Sequence, residues 1–250
     1  MKSIILQILT AFKRDRLFRG ITFLIICCSG FAYFIGSNAV VEAQEAKIVY
    51  TAGLSRIAII IGFITYVAFY IKRMFENHEI EVVLSHSISR TKVLLSMFIG
   101  FLITFLTLLI PVAIILLLLG TNITYLLVWF ISLICEGALM LCFTLCCSFI
   151  IKNFTNCIAG CYTMYIVGRT IGNFVAYLTL SLKTNLYNIL ESILKCLSVL
   201  FPRLDIFGKT SWLIYGDFSI NNILLFLSQT IIFCCIFLCM AIIDLNKKEF

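Results

Sequence analysis

Charge is scarce in this chain of 250 residues: Asp, Glu, Lys and Arg supply 12% of it, against roughly 25% in an ordinary soluble domain. Apolar side chains take up the difference at 62%, more than a water-soluble fold can hide from solvent. A soluble enzyme, a disordered tail and a nucleic-acid reader are excluded on that ground. Histidine is nearly absent too. His78 and His86 stand more than two helical turns apart, which makes them poor metal ligands beside Glu79. No HExxH, nucleophile elbow or pair of catalytic carboxylates occurs. Gly208, Lys209 and Thr210 mimic the end of a phosphate-binding loop, but Arg203 stands where its first glycine belongs. Internal repeats and low-complexity tracts are missing as well.

What remains is apolar sequence in spanning lengths. A membrane helix needs about 20 such residues, so the chain has room for about six spans in one domain and none for a second, soluble one. The runs predict an all-α integral membrane fold with spans at about 21–41, 54–71, 93–119, 125–151, 155–182 and 223–243. Arg56, near the start of the second, is expected to snorkel to the interface. Pro111 frees the carbonyl of Thr107 and is expected to bend the third. Gly120, Thr121 and Asn122 read as a tight turn. Of twelve cysteines, all but Cys196 lie in or beside apolar runs and read as small packing residues.

Two segments outside the spans carry helical periodicity. Ile5, Ile8, Leu9 and Phe12 form one face of a basic amphipathic helix suited to the membrane surface. Lys13, Arg14 and Arg16 follow it, the reverse of a cleavable signal peptide. Leu186, Ile189, Leu190, Ile193, Leu194 and Leu197 predict a second interfacial helix, followed by a loop holding Pro202 and Gly208. With the N-terminus inside, twelve Lys and Arg fall in inner segments and six in outer ones, so both termini are expected to be cytoplasmic.

Two constellations stand out. Glu136 and Arg169 are ionisable residues deep in spans, expensive unless paired. Glu136 lies as far before the turn at 152–153 as Arg169 lies after it, so an antiparallel pair of helices puts them at one depth. They read as a buried ion pair pinning two helices, with a role in a transport path as the alternative. The other constellation is the inner loop at 76–90, with Glu76, Glu79, Glu81, Leu84 and Arg90. If helical, it sets Ile80, Val83 and Leu84 on one face. A docking helix for a cytosolic partner and a plain solvated loop fit its chemistry equally well.

The order E-x-x-E-x-E-x-x-L-S-x-S-I-S-R over 76–90, followed directly by an apolar span, resembles the first cytoplasmic loop of ABC-2 type transporter permeases. Ser87 replaces a frequent proline there and His78 a frequent arginine. Pro202 to Asp205 and Trp212 to Gly216 also look like a bacterial branch of these permeases. The resemblance implies a membrane subunit of an ABC exporter in a bacterial plasma membrane, paired with a second permease copy. It implies a cytosolic ATPase subunit that uses ATP and Mg, seated on a coupling helix at 76–90. The chain itself is then expected to bind no cofactor, metal or nucleic acid and to catalyse nothing. An ATP-independent channel or small-solute membrane transporter, using Glu136 and Arg169 as a polar pathway, is the competing expectation; few other polar residues are at hand to line a wet pore.

Overall fold

The apolar runs become eight α-helices in a computed structural model that describes residues 2–39, 42–78, 89–151, 153–180 and 201–247. They are α1 (Lys2–Arg14), α2 (Arg16–Ser37), α3 (Ala43–Glu76), α4 (Arg90–Leu118), α5 (Ile123–Ile150), α6 (Phe154–Leu180), α7 (Ser211–Tyr215) and α8 (Ile220–Lys247). A 3-10 turn, Leu204–Ile206, precedes α7, and no strand occurs among the described residues. Five helices are long and apolar enough to cross a membrane: α2, α3, α4, α5 and α8. These mark the chain as a multi-pass membrane protein. The expected fifth span forms as α6, 27 residues long, but is not one of those five. Asn156, Thr163, Arg169, Thr170 and Asn173 dilute its apolar character.

The helices start and stop where backbone chemistry allows. Asp15 breaks α1 from α2 and caps the second, its Oδ1 accepting from the Leu17 N–H at 3.1 Å; such caps are worth about 1 kcal/mol. Asn122 and Asn153 do the same for α5 and α6, accepting from the N–H of Thr124 and Thr155. Gly120, at φ +82°, makes the expected turn between α4 and α5. α4 runs through Pro111 from Arg90 to Leu118.

One boundary differs in kind from the sequence reading. The second span was expected at 54–71, with 42–47 as a polar connection. Instead α3 begins at Ala43 and covers 34 residues, about 50 Å at 1.5 Å per residue. That exceeds the roughly 30 Å of a hydrocarbon core, so polar Gln44, Glu45 and Lys47 can sit on the same helix beyond the apolar layer. α2 lies against it closely enough that a Cβ on Gly36 would stand 2.5 Å from Lys47 Cα.

α5 occupies the centre, touching α3, α4, α6, α7 and α8. Trp129, Leu133, Leu139, Met140 and Leu145 on it are fully buried. Gly137 leaves room for the Phe105 ring from α4. By contrast α2 and α8 stay mostly exposed, as expected of helices at a lipid boundary. A helix forms at the N-terminus, but its buried residues are Ile4, Ile8 and Phe12. That face packs on α4, where Ile8 meets Gly100, and Phe12 stacks edge-on to Tyr66 of α3. The predicted helix at 186–197 lies outside the described residues.

Candidate functional site

Polar chemistry gathers at two places. The first is inside the bundle, where an irregular segment, 201–210, enters between α3, α5 and α6. Non-helical backbone at membrane depth is tolerated only when its N–H and C=O groups find partners in the protein. Here the partners are side chains. Arg56 donates from Nη1 to the Gly208 carbonyl at 2.5 Å, and the Trp129 indole N–H donates to the same oxygen at 3.2 Å. The Gly208 N–H donates to Ser132 Oγ at 2.6 Å. Arg169 donates from Nη1 to the carbonyls of Leu204 and Phe207 at 2.7 and 3.1 Å. Gly208 has φ +49°, and a Cβ there would strike the Arg56 guanidinium at 2.7 Å. Both the conformation and the space demand glycine.

The carboxylate that balances this cluster is Glu136, and its partner corrects the sequence reading. Arg56, not Arg169, holds it: Nε and Nη2 of Arg56 lie 2.7 and 2.5 Å from Glu136 Oε2. Arg56 is 1% exposed and Glu136 0%, so Arg56 does not snorkel to the interface. Glu136 and Arg169 do lie on neighbouring helices, α5 and α6. Depth says nothing about competing acceptors, however. The segment at 201–210 presents bare carbonyls to α6, and Arg169 satisfies those. Arg56 reaches carboxylate and carbonyl at once from α3. Glu136 Oε1 and the Tyr165 hydroxyl are buried and have no hydrogen-bond partner among the described residues. The segment is tied down further by the Arg203–Asp205 pair at 2.9 Å and by Asp205 lying against Gly172 of α6.

The second place is the end of the bundle where α3 stops and α4 starts. α3 closes with Asn77 and His78, the latter at φ +54°, so the chain turns off the helix axis there. Glu76 is exposed and pairs with Lys72 at 3.4 Å. Arg73 reaches Asp15 at the α1–α2 break, 3.5 Å away. Arg90, the first residue of α4, donates to the terminal carbonyls of α8, Leu245 at 2.6 Å and Asn246 at 3.3 Å. Under the end of α3 lies a cavity of about 370 Å³ walled by Lys72, Phe75, Glu76, Phe149, Phe154 and Cys157. Of the proposed docking residues, Glu76 and Arg90 therefore sit at the two helix ends. Glu79, Glu81 and Leu84 lie outside the described residues.

At the opposite end, Tyr215 donates to Glu45 Oε2 at 3.5 Å. The carboxylates of Glu45 and Glu42 raise its phenol above the usual range. Among the described residues no group of three His, Cys, Asp or Glu could hold a metal ion, and the eleven described cysteines are free thiols.

Sequence reasoning missed Arg56, Gly208, Ser132, Trp129 and the Asp15–Arg73 contact. Arg56 had a usable signal. A lone acid in the spans needs a base, and two were available. Gly208 had none, because its partners are 76 and 152 positions away. No protein-family model matches the chain, and no curated protein matches it.

Proposed function

We propose that the chain is the membrane-spanning subunit of an ATP-driven exporter of the ABC-2 type. It is a six-span permease of a bacterial plasma membrane, with both termini in the cytoplasm. ATP and Mg are used by a separate cytosolic ATPase, which seats on the 76–90 segment, and a second permease copy completes the pore. This chain's part is mechanical rather than catalytic.

One observation carries the reading. The 76–90 segment joins two helix ends that are each tied to further helices: α3 to the α1–α2 break through Arg73 and Asp15, and α4 to α8 through Arg90. A push on that segment is thus delivered to α1, α2, α3, α4 and α8 together, as a coupling element requires. Packed helices respond to such a push as rigid elements that shift between discrete arrangements. The interior supports the same reading against a channel. Its charged groups, Arg56, Glu136 and Arg169, are engaged in holding an irregular segment in place.

Extraction of the tagged chain from its native membrane tests this. A soluble ATPase carrying a phosphate-binding loop is expected to co-purify in equal amount. Recovery of the chain with its own copies alone, across mild detergents and with ATP present, would rule the reading out.

A further inference from the structure

Three guanidinium groups and one carboxylate wall an open cleft at the elbow between α1 and α2. The cleft measures about 550 Å³, and its polar wall is Gln7, Thr10, Arg14, Asp15, Arg16 and Arg73. Three positive charges against one negative leave it two charges positive. The single carboxylate is already committed. Asp15 Oδ1 takes the Leu17 N–H, and Oδ2 faces Arg73 at 3.5 Å. Arg14 and Arg16 are exposed and have no ion-pair partner among the described residues. The N-terminus of α2, with no acidic residue in its first turn, adds the positive end of a helix dipole.

Three guanidinium groups on the wall of one cleft, against a single carboxylate, suit an anion, and the surroundings say which kind of anion. α2 leaves the cleft as an apolar helix that is mostly exposed. Leu17, Leu24 and Phe31, seven residues apart along it, are 38%, 50% and 63% exposed. They form an apolar strip that begins beside the basic wall. A free anion has no use for that strip, whereas a molecule with a charged head and acyl chains uses both parts.

We propose that this cleft binds the phosphodiester of an anionic glycerophospholipid, from the leaflet at the α3 C-terminal end, with its acyl chains along α2. Basic clefts between helices at a membrane boundary suit such headgroups, each Lys or Arg contributing about 1 kcal/mol near an anionic surface. The bound headgroup bridges Arg14 and Arg16 to Arg73, one turn before the chain leaves α3. It stabilises the α1–α2 elbow whether or not an ATPase is present, so the site stands apart from the exporter reading.

The test uses the full chain, purified in a neutral detergent and stripped of lipid. Dioleoylphosphatidylglycerol, dioleoylphosphatidylcholine and inorganic phosphate are titrated separately against the thermal midpoint, with retained lipid counted by native mass spectrometry. The phosphatidylglycerol is expected to raise the midpoint and to stay bound, and the other two to do neither. Replacing both exposed arginines, R14Q with R16Q, weakens phosphatidylglycerol binding by about tenfold or more. K209Q, an exposed lysine elsewhere, leaves it unchanged. On the unaltered protein, the same affinity falls as salt is added. Equal stabilisation by phosphatidylcholine would overturn the proposal. So would full replacement by millimolar phosphate, which would make this a free-anion site, or a salt-independent affinity.

Discussion

The two polar regions of the molecule use the same side chains to opposite effect. Around Gly208, buried Arg56 and Glu136 and half-buried Arg169 make bonds that run from 2.5 to 3.1 Å. At the α3 end the ion pairs run at 3.4 and 3.5 Å, with Lys72, Arg73 and Glu76 each more than a third exposed. The difference is dielectric. In the interior a charge without a partner is intolerable, so every guanidinium is committed and the geometry is single-valued. At the boundary water screens the Lys72–Glu76 pair, which is worth little, and the exposed Arg14 and Arg16 stay available for something else to bind. Charge buried in this protein holds shape, and charge at its edge is where a partner can act.

The largest expected effect comes from splitting the buried pair. R56M strips the buried Glu136 carboxylate of the guanidinium that holds it, at a cost of about 3–5 kcal/mol; it should abolish recovery of folded protein by size-exclusion chromatography. Removing both charges, as R56M with E136L, should restore much of that loss, because an apolar pair of similar volume is tolerated where a lone charge is not. If R56M behaves like wild type, the contrast between the two regions collapses. Next is R169M, which strips the Leu204 and Phe207 carbonyls of a charged donor. About 1.5–3 kcal/mol is expected, read as a lower thermal midpoint. A further fall on adding E136Q, equal to that in the wild-type background, would separate Arg169 from the ion pair; non-additive losses would restore the pairing read from helix depth.

G208A should cost about 1–2 kcal/mol for the left-handed backbone alone, more if the methyl displaces Arg56. Limited proteolysis between α6 and α8 would report the loosened segment. Smallest is K72Q at the boundary. Its exposed pair with Glu76 contributes about 0.5 kcal/mol or less, so the midpoint should hold within error. A large destabilisation there would show that the edge is also part of the lock.

Much of this contrast was legible in the sequence, for reasons that also explain what was not. Helices appear where apolar runs reach spanning length, because that signal is local and additive. The turn at Gly120 and the caps at Asn122 and Asn153 follow from residues within a few positions of one another. Ile5, Ile8, Leu9 and Phe12 pointed to a face for the membrane surface, whereas Ile8 and Phe12 are buried against α4 and Tyr66. Arg56 was misjudged because the second span was drawn to start at 54. With α3 beginning at Ala43, Arg56 lies deep and needs an acid. The partner choice itself could not be read from depth. It depends on bare carbonyls at 204, 207 and 208, and these exist only once the irregular segment has entered the bundle. For the docking residues, the sequence placed Glu76 and Arg90 at the edges of one loop, and both indeed sit at the two helix ends. That Arg90 ties α4 to α8 required the fold.

The division between lock and edge is tested most directly by replacing 77–89 with a Gly/Ser linker, leaving Glu76 and Arg90 in place, and measuring how much ATPase co-purifies per folded chain. The account predicts that the ATPase is lost while the chain keeps its wild-type thermal midpoint. ATPase retained in equal amount on a folded chain would contradict it.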